Sequence, residues 1–192
     1  RGKRDSIIDQ FSKYDLLVEL ILKDIECPTF LDIGCGRGEW LQKWSEKSFN
    51  CLGIEKDLNM IATCRRLGLN VIEGDAIRSL QEFENDSVAL ISIFHLIEHL
   101  NHSQIVRLLS ECKRILSTNG LLLMETPSID NLLVSSNNFY LDPTHKSHIN
   151  SESLEFTLID LGFNYAKNYF INGGPLQKDS HLKMTRILNG TA

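Results

Sequence analysis

The sequence predicts an α/β fold: a mostly parallel sheet with helices on both faces and an antiparallel edge. Three observations predict it. Apolar runs at strand spacing alternate with helix-period segments from end to end. A glycine-rich turn, Gly34-Cys35-Gly36-Arg37-Gly38, joins the first strand to the helix after it. Two closing apolar runs are separated by Gly173-Gly174-Pro175, so they can pair as a hairpin.

The elements follow in order. Ile7, Ile8, Phe11, Tyr14, Leu17, Val18 and Ile21 recur at helical spacing, which predicts one helix from Ile7 to Asp24, stopped by Cys27-Pro28. Thr29–Ile33 is a short apolar strand, and Trp40, Leu41 and Trp44 mark the next helix. A second strand, Cys51–Glu55, leads into a helix from Leu58 to Leu67, and a short third strand, Asn70–Glu73, ends in a polar turn at Gly74-Asp75. Val88–Phe94 is the fourth strand. A helix from Gln104 to Leu116 follows, with Asn119-Gly120 as its C-cap, and Leu121–Glu125 is the fifth strand. Thr126–Asn150 is long, polar and irregular, which in a compact domain points to function. A helix from Glu152 to Leu161 closes at Gly162; strands at Phe163–Ile171 and His181–Leu188 complete the chain.

At 192 residues this is one domain, 1–192, with its N-terminal helix within 1–24 and a functional loop over 126–150. Because it starts at Arg1 rather than Met, it reads as a piece of a larger multidomain protein. Hydrophobic residues make up 42% and charged residues 23%, and no apolar run reaches the roughly 18 residues of a membrane span. Disorder and a spanning segment are thereby excluded. The net charge of −5 argues against a surface built for a nucleic-acid backbone. Five cysteines, Cys27, Cys35, Cys51, Cys64 and Cys112, form no CxxC pair, which fits reduced thiols in a cytoplasmic protein.

The glycine turn lies where an open α/β sheet binds its ligand, past the carboxyl ends of the strands. A dinucleotide fingerprint needs glycine where Glu39 stands, and a phosphate loop needs Gly-Lys-Ser/Thr, which is absent. Glu55, ending the second strand, can accept from both hydroxyls of a ribose. Asp75 can reach an adenine amino group, and Asp32 can offset a cation. Together they describe an adenosine site without phosphates.

These segments, with Leu31–Gly38, Gly53–Asp57, Gly74–Ala76, Asp86–Leu100 and Leu116–Pro127 in the same order, resemble the class I S-adenosylmethionine-dependent methyltransferases. The resemblance implies a Rossmann-like seven-stranded sheet of order 3-2-1-4-5-7-6 with strand 7 antiparallel. It assigns Gly34, Gly36 and Gly38 to the methionine part of the cofactor, Glu55 to the ribose, and Asp75 with Ala76 to adenine. Asp32, Cys35, Lys56 and Phe94 complete the expected cofactor set.

The fourth strand runs into Phe94-His95-Leu96-Ile97-Glu98-His99, and a helix here would set His95, Glu98 and His99 on one face. A second histidine group, His145 and His148, lies in the long loop after the neighbouring strand. An alcohol gives up its proton only to a positioned base or beside a metal. His99, Glu98, His95 and His145 are therefore the catalytic candidates. The pattern is similar to the Glu-x-x-Glu-His motif and later loop histidine of the small-RNA 2′-O-methyltransferases, which implies a divalent metal on Glu98, His99 and His145; His95 replaces the first Glu.

Phe139–His145 and Gly36–Trp40 resemble more narrowly the methyltransferase modules of bacterial polysaccharide and lipopolysaccharide assembly proteins, often fused to glycosyltransferase domains. That implies a sugar hydroxyl as acceptor, with Tyr140, Asp142 and His148 as substrate residues and Phe139 beside Tyr140 as a stacking surface. An RNA ribose methyltransferase, a phenol or quinone methyltransferase and a non-catalytic cofactor-binding scaffold are the competing readings. Trp40 and Trp44 read as core, His102 and His181 as surface, and Arg1, Lys3 and Arg4 as a solvated helix start. Arg65-Arg66 and Lys113-Arg114 read as solvated faces.

Overall fold

A computed structural model describes residues 2–23, 25, 28–47, 49–171 and 182–189. Five parallel strands form the sheet in the order β3-β2-β1-β4-β5. They are β1 (Thr29–Ile33), β2 (Asn50–Glu55), β3 (Val71–Glu73), β4 (Val88–Phe94) and β5 (Leu116–Pro127). Strand β1 is central, with Leu31 opposite both Leu52 and Ile91. Its residues Phe30 to Ile33 and those of β4 from Val88 to Ile93 are all buried, because helices cover both faces. Hydrogen bonding continues antiparallel from β5 to β7 (Leu182–Asn189), and from β7 to β6 (Tyr165–Phe170). The parallel sheet flanked by helices is the architecture that the alternating periods predict.

Alternation along each strand builds two cores. Phe30, Leu90, Leu121 and Leu123 face one side, where they meet Tyr14, Val18, Leu22, Trp40 and Trp44. The helices there are α1 (Arg4–Gln10), α2 (Asp15–Leu22), α3 (Glu39–Ser45) and α4 (Leu58–Arg66). Leu31, Ile33, Ile91, Ile93, Leu122 and Met124 face the other side. They pack under α5 (Ala76–Leu80), α6 (His102–Ile115) and α8 (Ser151–Asp160).

Several sequence expectations are corrected. The single N-terminal helix is two, α1 and α2, joined by a 3-10 turn at Phe11–Tyr14. Three residues per turn bring Phe11 and Tyr14 to one face, where both rings meet Trp40 and Phe94. The expected end of that helix at Asp24 and Cys27 lies outside the described residues. Helix α6 begins earlier than its apolar pattern, because Asn101 and Gln104 form a reciprocal cap. It stops at Ile115, so Asn119-Gly120 is not its C-cap. Those residues belong to β5, whose ladder to β4 jumps from Val88↔Leu116 to Leu90↔Leu121; Asn119 supplies a φ of 64° in the looped-out stretch.

The segment 126–150 also holds more order than expected. It contains α7 (Leu132–Ser136), capped by Asn131, and a 3-10 turn at Asn138–Leu141. Arg114 is no solvated cation: its guanidinium donates to the carbonyls of Leu80 and Phe83 at 2.8 Å and ties α6 to the end of α5. The expected hairpin turn at Gly173-Gly174-Pro175 and the surface position of His181 lie outside the described residues.

Gly38, at φ 76°, starts α3, and a Cβ there would lie 2.6 Å from Leu69 Cδ1 and 2.9 Å from Cys64 Sγ. Gly38→Ala should therefore destabilise the fold by about 2–4 kcal/mol, adding left-handed strain to overpacking. Urea unfolding checks this, and a variant as stable as the parent contradicts it.

Candidate active site

The turn after β1 is built around a carboxylate. Glu55, at the end of β2, accepts from the Gly36 amide at 2.8 Å through Oε2, and from the Lys56 and Asp57 amides through Oε1 at 2.8 and 3.0 Å. The Gly34 and Cys35 amides bond the Ile54 carbonyl. Gly36 stands at φ 56°, and a Cβ there would meet nothing within 4 Å, so the crest of the turn faces open space. Arg4 departs from its expected role. It donates to Gln42 Oε1 at 2.6 Å and to the carbonyls of Arg37 and Gly38 at 2.9 and 3.1 Å, clamping the N-terminal segment onto this turn. Lys3 is exposed; Arg1 lies outside the described residues.

Asp32 is buried below the crest and accepts from Ser92 Oγ at 2.6 Å. Burial pushes its carboxyl up to about 7 against the Ser92 hydrogen bond, and the charges of Glu55 and Glu39 add to the shift. Such a group is a buried half-charge that a neighbouring cation would ionise fully. Asp75 caps α5 by accepting from the Arg78 amide at 3.1 Å, with Ala76 next in the chain. Lys56 is exposed. The Phe94 ring stacks on Tyr14 and meets Trp40 edge-on, so it belongs to the aromatic cluster beneath the crest.

Past β4 the expected helix does not form. His95 takes a φ of 53° while its amide bonds the Glu125 carbonyl at 2.9 Å, and only a 3-10 turn, Ile97–His99, follows. The left-handed residue breaks the helical path that would have set His95, Glu98 and His99 on one face. His95 lies between Glu98 (Nδ1–Oε1 3.4 Å) and Glu125 (Nε2–Oε1 3.6 Å). Burial opposes its charge, but hydrogen bonding to Glu125 and Glu98 outweighs that and lifts the imidazole to about 9. Half of its side chain stays open to water, which screens both pairings. Glu125 also receives the Tyr14 hydroxyl and lies 3.2 Å from Lys13 Nζ. Burial works against its charge, yet the bonds from His95 and Tyr14 and the Lys13 charge hold it below the usual carboxylate range. The sequence reading missed this group; its one local signal is an acid ending the apolar run Leu121–Met124.

Glu98 is fully buried. Its Oε2 accepts from Thr126 Oγ1 at 3.0 Å, while Oε1 faces His95 Nδ1 at 3.4 Å. Its main-chain carbonyl accepts from the amides of Lys146 and Ser147 at 2.8 and 3.1 Å, which fastens the 142–150 stretch over this turn. His99 Nδ1 lies 2.9 Å from Thr144 Oγ1, and that hydroxyl donates to Asp142 Oδ1 at 2.5 Å. Thr144 has one proton, and it goes to Asp142. Its oxygen therefore accepts from His99 Nδ1–H, and the lone pair of the neutral imidazole sits on Nε2. The two hydrogen bonds from Thr144 also lower the Asp142 carboxyl.

His145 is held the same way, with Nδ1 donating to the Phe139 carbonyl at 2.7 Å. The His99 and His145 rings are 4.7 Å apart, and donor atoms of Glu98, His99 and His145 lie within 4.8 Å of one another. His148 is not part of this group; its ring packs on Phe139 at 4.0 Å and near Tyr140 at 5.5 Å. Phe139 is buried and Tyr140 exposed. Beside His148 opens a cleft of about 260 Å³ whose walls are polar at His102, Ser147, Asn150, Ser153 and Thr157 and apolar at Ile105, Ile149 and Leu154.

Residues 7–168 match the family model described as a methyltransferase domain. A probable S-adenosylmethionine-dependent methyltransferase of Mycobacterium tuberculosis is 26% identical over 156 residues, which is 80% of this chain and 55% of that protein. The chain thus spans about half the length of the curated relatives it matches. The crystal structure of a SAM-dependent methyltransferase from Archaeoglobus fulgidus is similar at a TM-score of 0.84 with 26% identity, over 98% of this chain and 95% of that one. The Haemonchus contortus phosphoethanolamine N-methyltransferase 2, solved with S-adenosyl-L-methionine, shares the fold at a TM-score of 0.75 with 16% identity, over 94% of this chain and 53% of that one.

The Asp32 environment has a pH signature. Its folded value, about 7, exceeds the unfolded one, so the folded state binds the proton more tightly. Ionising Asp32 thus penalises the fold increasingly from about pH 4 to pH 7, and Asp32→Asn should remove that penalty. The stability gap between variant and parent should grow over this range toward roughly 4 kcal/mol and then level off. Urea titrations at several pH values read it; a gap independent of pH contradicts the assignment.

Proposed function

The chain belongs to the methyltransferase domain family and is an S-adenosylmethionine-dependent methyltransferase domain, and from that premise we propose that it methylates a hydroxyl oxygen of a glycan, with His99 as the base. The bound cofactor supplies an electrophilic methyl group on a sulfonium. Asp32, Gly34, Cys35, Gly36 and Gly38 would hold its methionine part, Glu55 and Lys56 the ribose, and Asp75 with Ala76 the adenine. The open space over Gly36 and the buried carboxyl of Asp32 support that fit. In this reading the β7–β6 pair is the antiparallel closing hairpin of the family's seven-stranded sheet.

The single observation that carries the acceptor chemistry is the line His99–Thr144–Asp142. It fixes the tautomer that leaves Nε2 free to take a hydroxyl proton, and the carboxylate stabilises the imidazolium that results. His95, protonated between two carboxylates near neutral pH, cannot be the base and acts as a fixed donor. The sugar reading rests on the resemblance of Phe139–His145 to polysaccharide-assembly modules. The cleft beside His148, with hydroxyl, amide and imidazole groups next to the apolar Ile105, Ile149 and Leu154, supports it by offering a sugar unit both hydrogen-bond partners and a surface for its C–H face. The net charge of −5 weighs against an RNA acceptor. The wider setting we propose is cytoplasmic assembly of a surface polysaccharide, beside a glycosyltransferase domain.

One observation favours a second reading. One carboxylate oxygen of Glu98 and one ring nitrogen each of His99 and His145 lie within 4.8 Å of one another, a donor set suited to a divalent ion such as Mn or Zn. Glu98, His99 and His145 would hold that ion, which would acidify the acceptor hydroxyl directly. Turnover that survives excess EDTA supports the metal-free base; loss of turnover restored by Mn supports the ion.

Transfer of labelled methyl groups to oligosaccharides, recovered as O-methyl sugars after hydrolysis, tests the acceptor class. Label confined to nucleic acid or to nitrogen overturns it. His99→Ala should lower turnover by about 10²–10⁴-fold with S-adenosylhomocysteine affinity retained; an unchanged rate removes His99 from the mechanism. Gly36→Val, by filling the crest, should abolish S-adenosylhomocysteine binding in calorimetry, and normal affinity rejects the assignment of the turn.

A further inference from the structure

The base His99 and the cleft beside His148 are held by one stretch of chain. From His145 to Asn150 the backbone is neither helix nor strand, so its path is set by individual bonds. Thr144, just before it, meets His99 Nδ1 at 2.9 Å, and the His145 ring lies 4.7 Å from the His99 ring. Lys146 and Ser147 give their amides to the Glu98 carbonyl at 2.8 and 3.1 Å. Ser147 Oγ donates to the Leu100 carbonyl at 2.6 Å, and the same residue already lines the cleft. His148, Ile149 and Asn150 continue that wall. At the far end Asn150 caps α8, accepting from the Ser153 amide at 2.9 Å.

From this shared stretch we infer, resting on the glycan reading above, that the cleft seats a second sugar unit of the acceptor and that filling it aligns the base. The chemistry of the walls matches one such unit. Asn150 Oδ1 is taken by the Ser153 amide, which leaves the side-chain N–H groups to donate. Thr157 Oγ1 gives its proton to the Ser153 carbonyl at 2.8 Å, so its oxygen can accept. Adjacent sugar hydroxyls both donate and accept, and a wall of mixed sense serves them. Buried Ile105 and Leu154 offer a surface for the C–H groups between those hydroxyls. The volume of about 260 Å³ falls just below the roughly 300–1,000 Å³ of drug-sized pockets, which suits a single ring.

A ring seated against Ser147 and His148 restricts the stretch from its far side. Thr144 and His145 are then held more narrowly over His99, and Nε2 keeps the orientation in which it meets the acceptor hydroxyl. Contact remote from the reacting atoms raises the turnover of the bound complex when its energy goes into ordering the reacting groups. A free monosaccharide reaches His99 but leaves the cleft empty, so it reacts without that ordering. The preferred acceptor is therefore already a glycoside of at least two units. The reaction that must supply it is a glycosyl transfer, completed before methylation.

The test uses the whole chain with saturating S-adenosylmethionine that carries a labelled methyl group. The acceptors are the methyl glycosides of mannose, galactose and glucose, and the matching disaccharides. For any sugar that takes label, the disaccharide should show kcat about tenfold or more above the monosaccharide, within what misplacing a reacting group costs. Amide exchange over 145–150, read with S-adenosylhomocysteine bound, should slow with the disaccharide and not with the monosaccharide. Ser153→Trp, at an exposed position on the cleft wall, should erase both differences. If that variant does not fold, the rate and exchange comparisons on the parent chain decide. Equal kcat for both lengths, a difference in KM alone, or unaltered exchange overturns the inference and leaves the glycan reading standing. Label on no sugar of either length overturns the glycan reading, and the role of the cleft falls with it.

Discussion

One carboxylate organises the half of the candidate site built on the glycine turn. Glu55 gathers the amides of Gly36, Lys56 and Asp57, so the end of β2 and the turn after β1 are fixed by three hydrogen bonds to a single side chain. Within the turn the Gly38 amide bonds the Cys35 carbonyl at 2.9 Å, but the Gly36 amide takes its acceptor from outside the turn. An acid at the tip of the neighbouring strand supplies the acceptors, and the crest at Gly36 can then stay free of side chains. The parallel register of β1 with β2 and β4 brings Glu55, Asp32 and the start of the turn after β4 to one end of the strands.

Glu98 does the corresponding work on the other half, with two parts of the same residue. Its carbonyl receives the amides of Lys146 and Ser147, which brings Thr144 and His145 over His99. Its side chain enters the interior, held by Thr126. The charge of that side chain is costly to bury alone, and the His95 imidazole on one side offsets it. His99 and the loop residues that bond it therefore depend on where Glu98 holds that loop.

What could be read in the sequence follows from how local each signal is. Thr29–Ile33 and Val88–Phe94 were legible because strands covered on both faces must be apolar throughout, and the glycine turn because few other residues tolerate its backbone. His95 hid the turn that follows β4, since a histidine at positive φ gives no sign of itself in a pattern that suits a helix. Asn119-Gly120 misled for the opposite reason: the same chemistry that caps helices also serves a looped-out stretch of strand. The split at Phe11–Tyr14 obeys two aromatic neighbours, Trp40 and Phe94, that only folding brings near. In the site, the histidines and every acid but Glu125 could be named, but not their partners. Thr144 meets His99 across 45 positions and Tyr14 meets Glu125 across 111, distances over which no spacing rule operates.

The N-terminal segment bridges both halves. Arg4 grips the carbonyls after the glycine turn, and ten residues later Tyr14 and Lys13 close on Glu125, which in turn faces His95. Peeling this segment from the sheet breaks the two attachments together, so both halves of the site share one opening equilibrium. Amide exchange in the first strand's turn and behind the fifth strand would then keep common time, although the two regions do not adjoin in the chain.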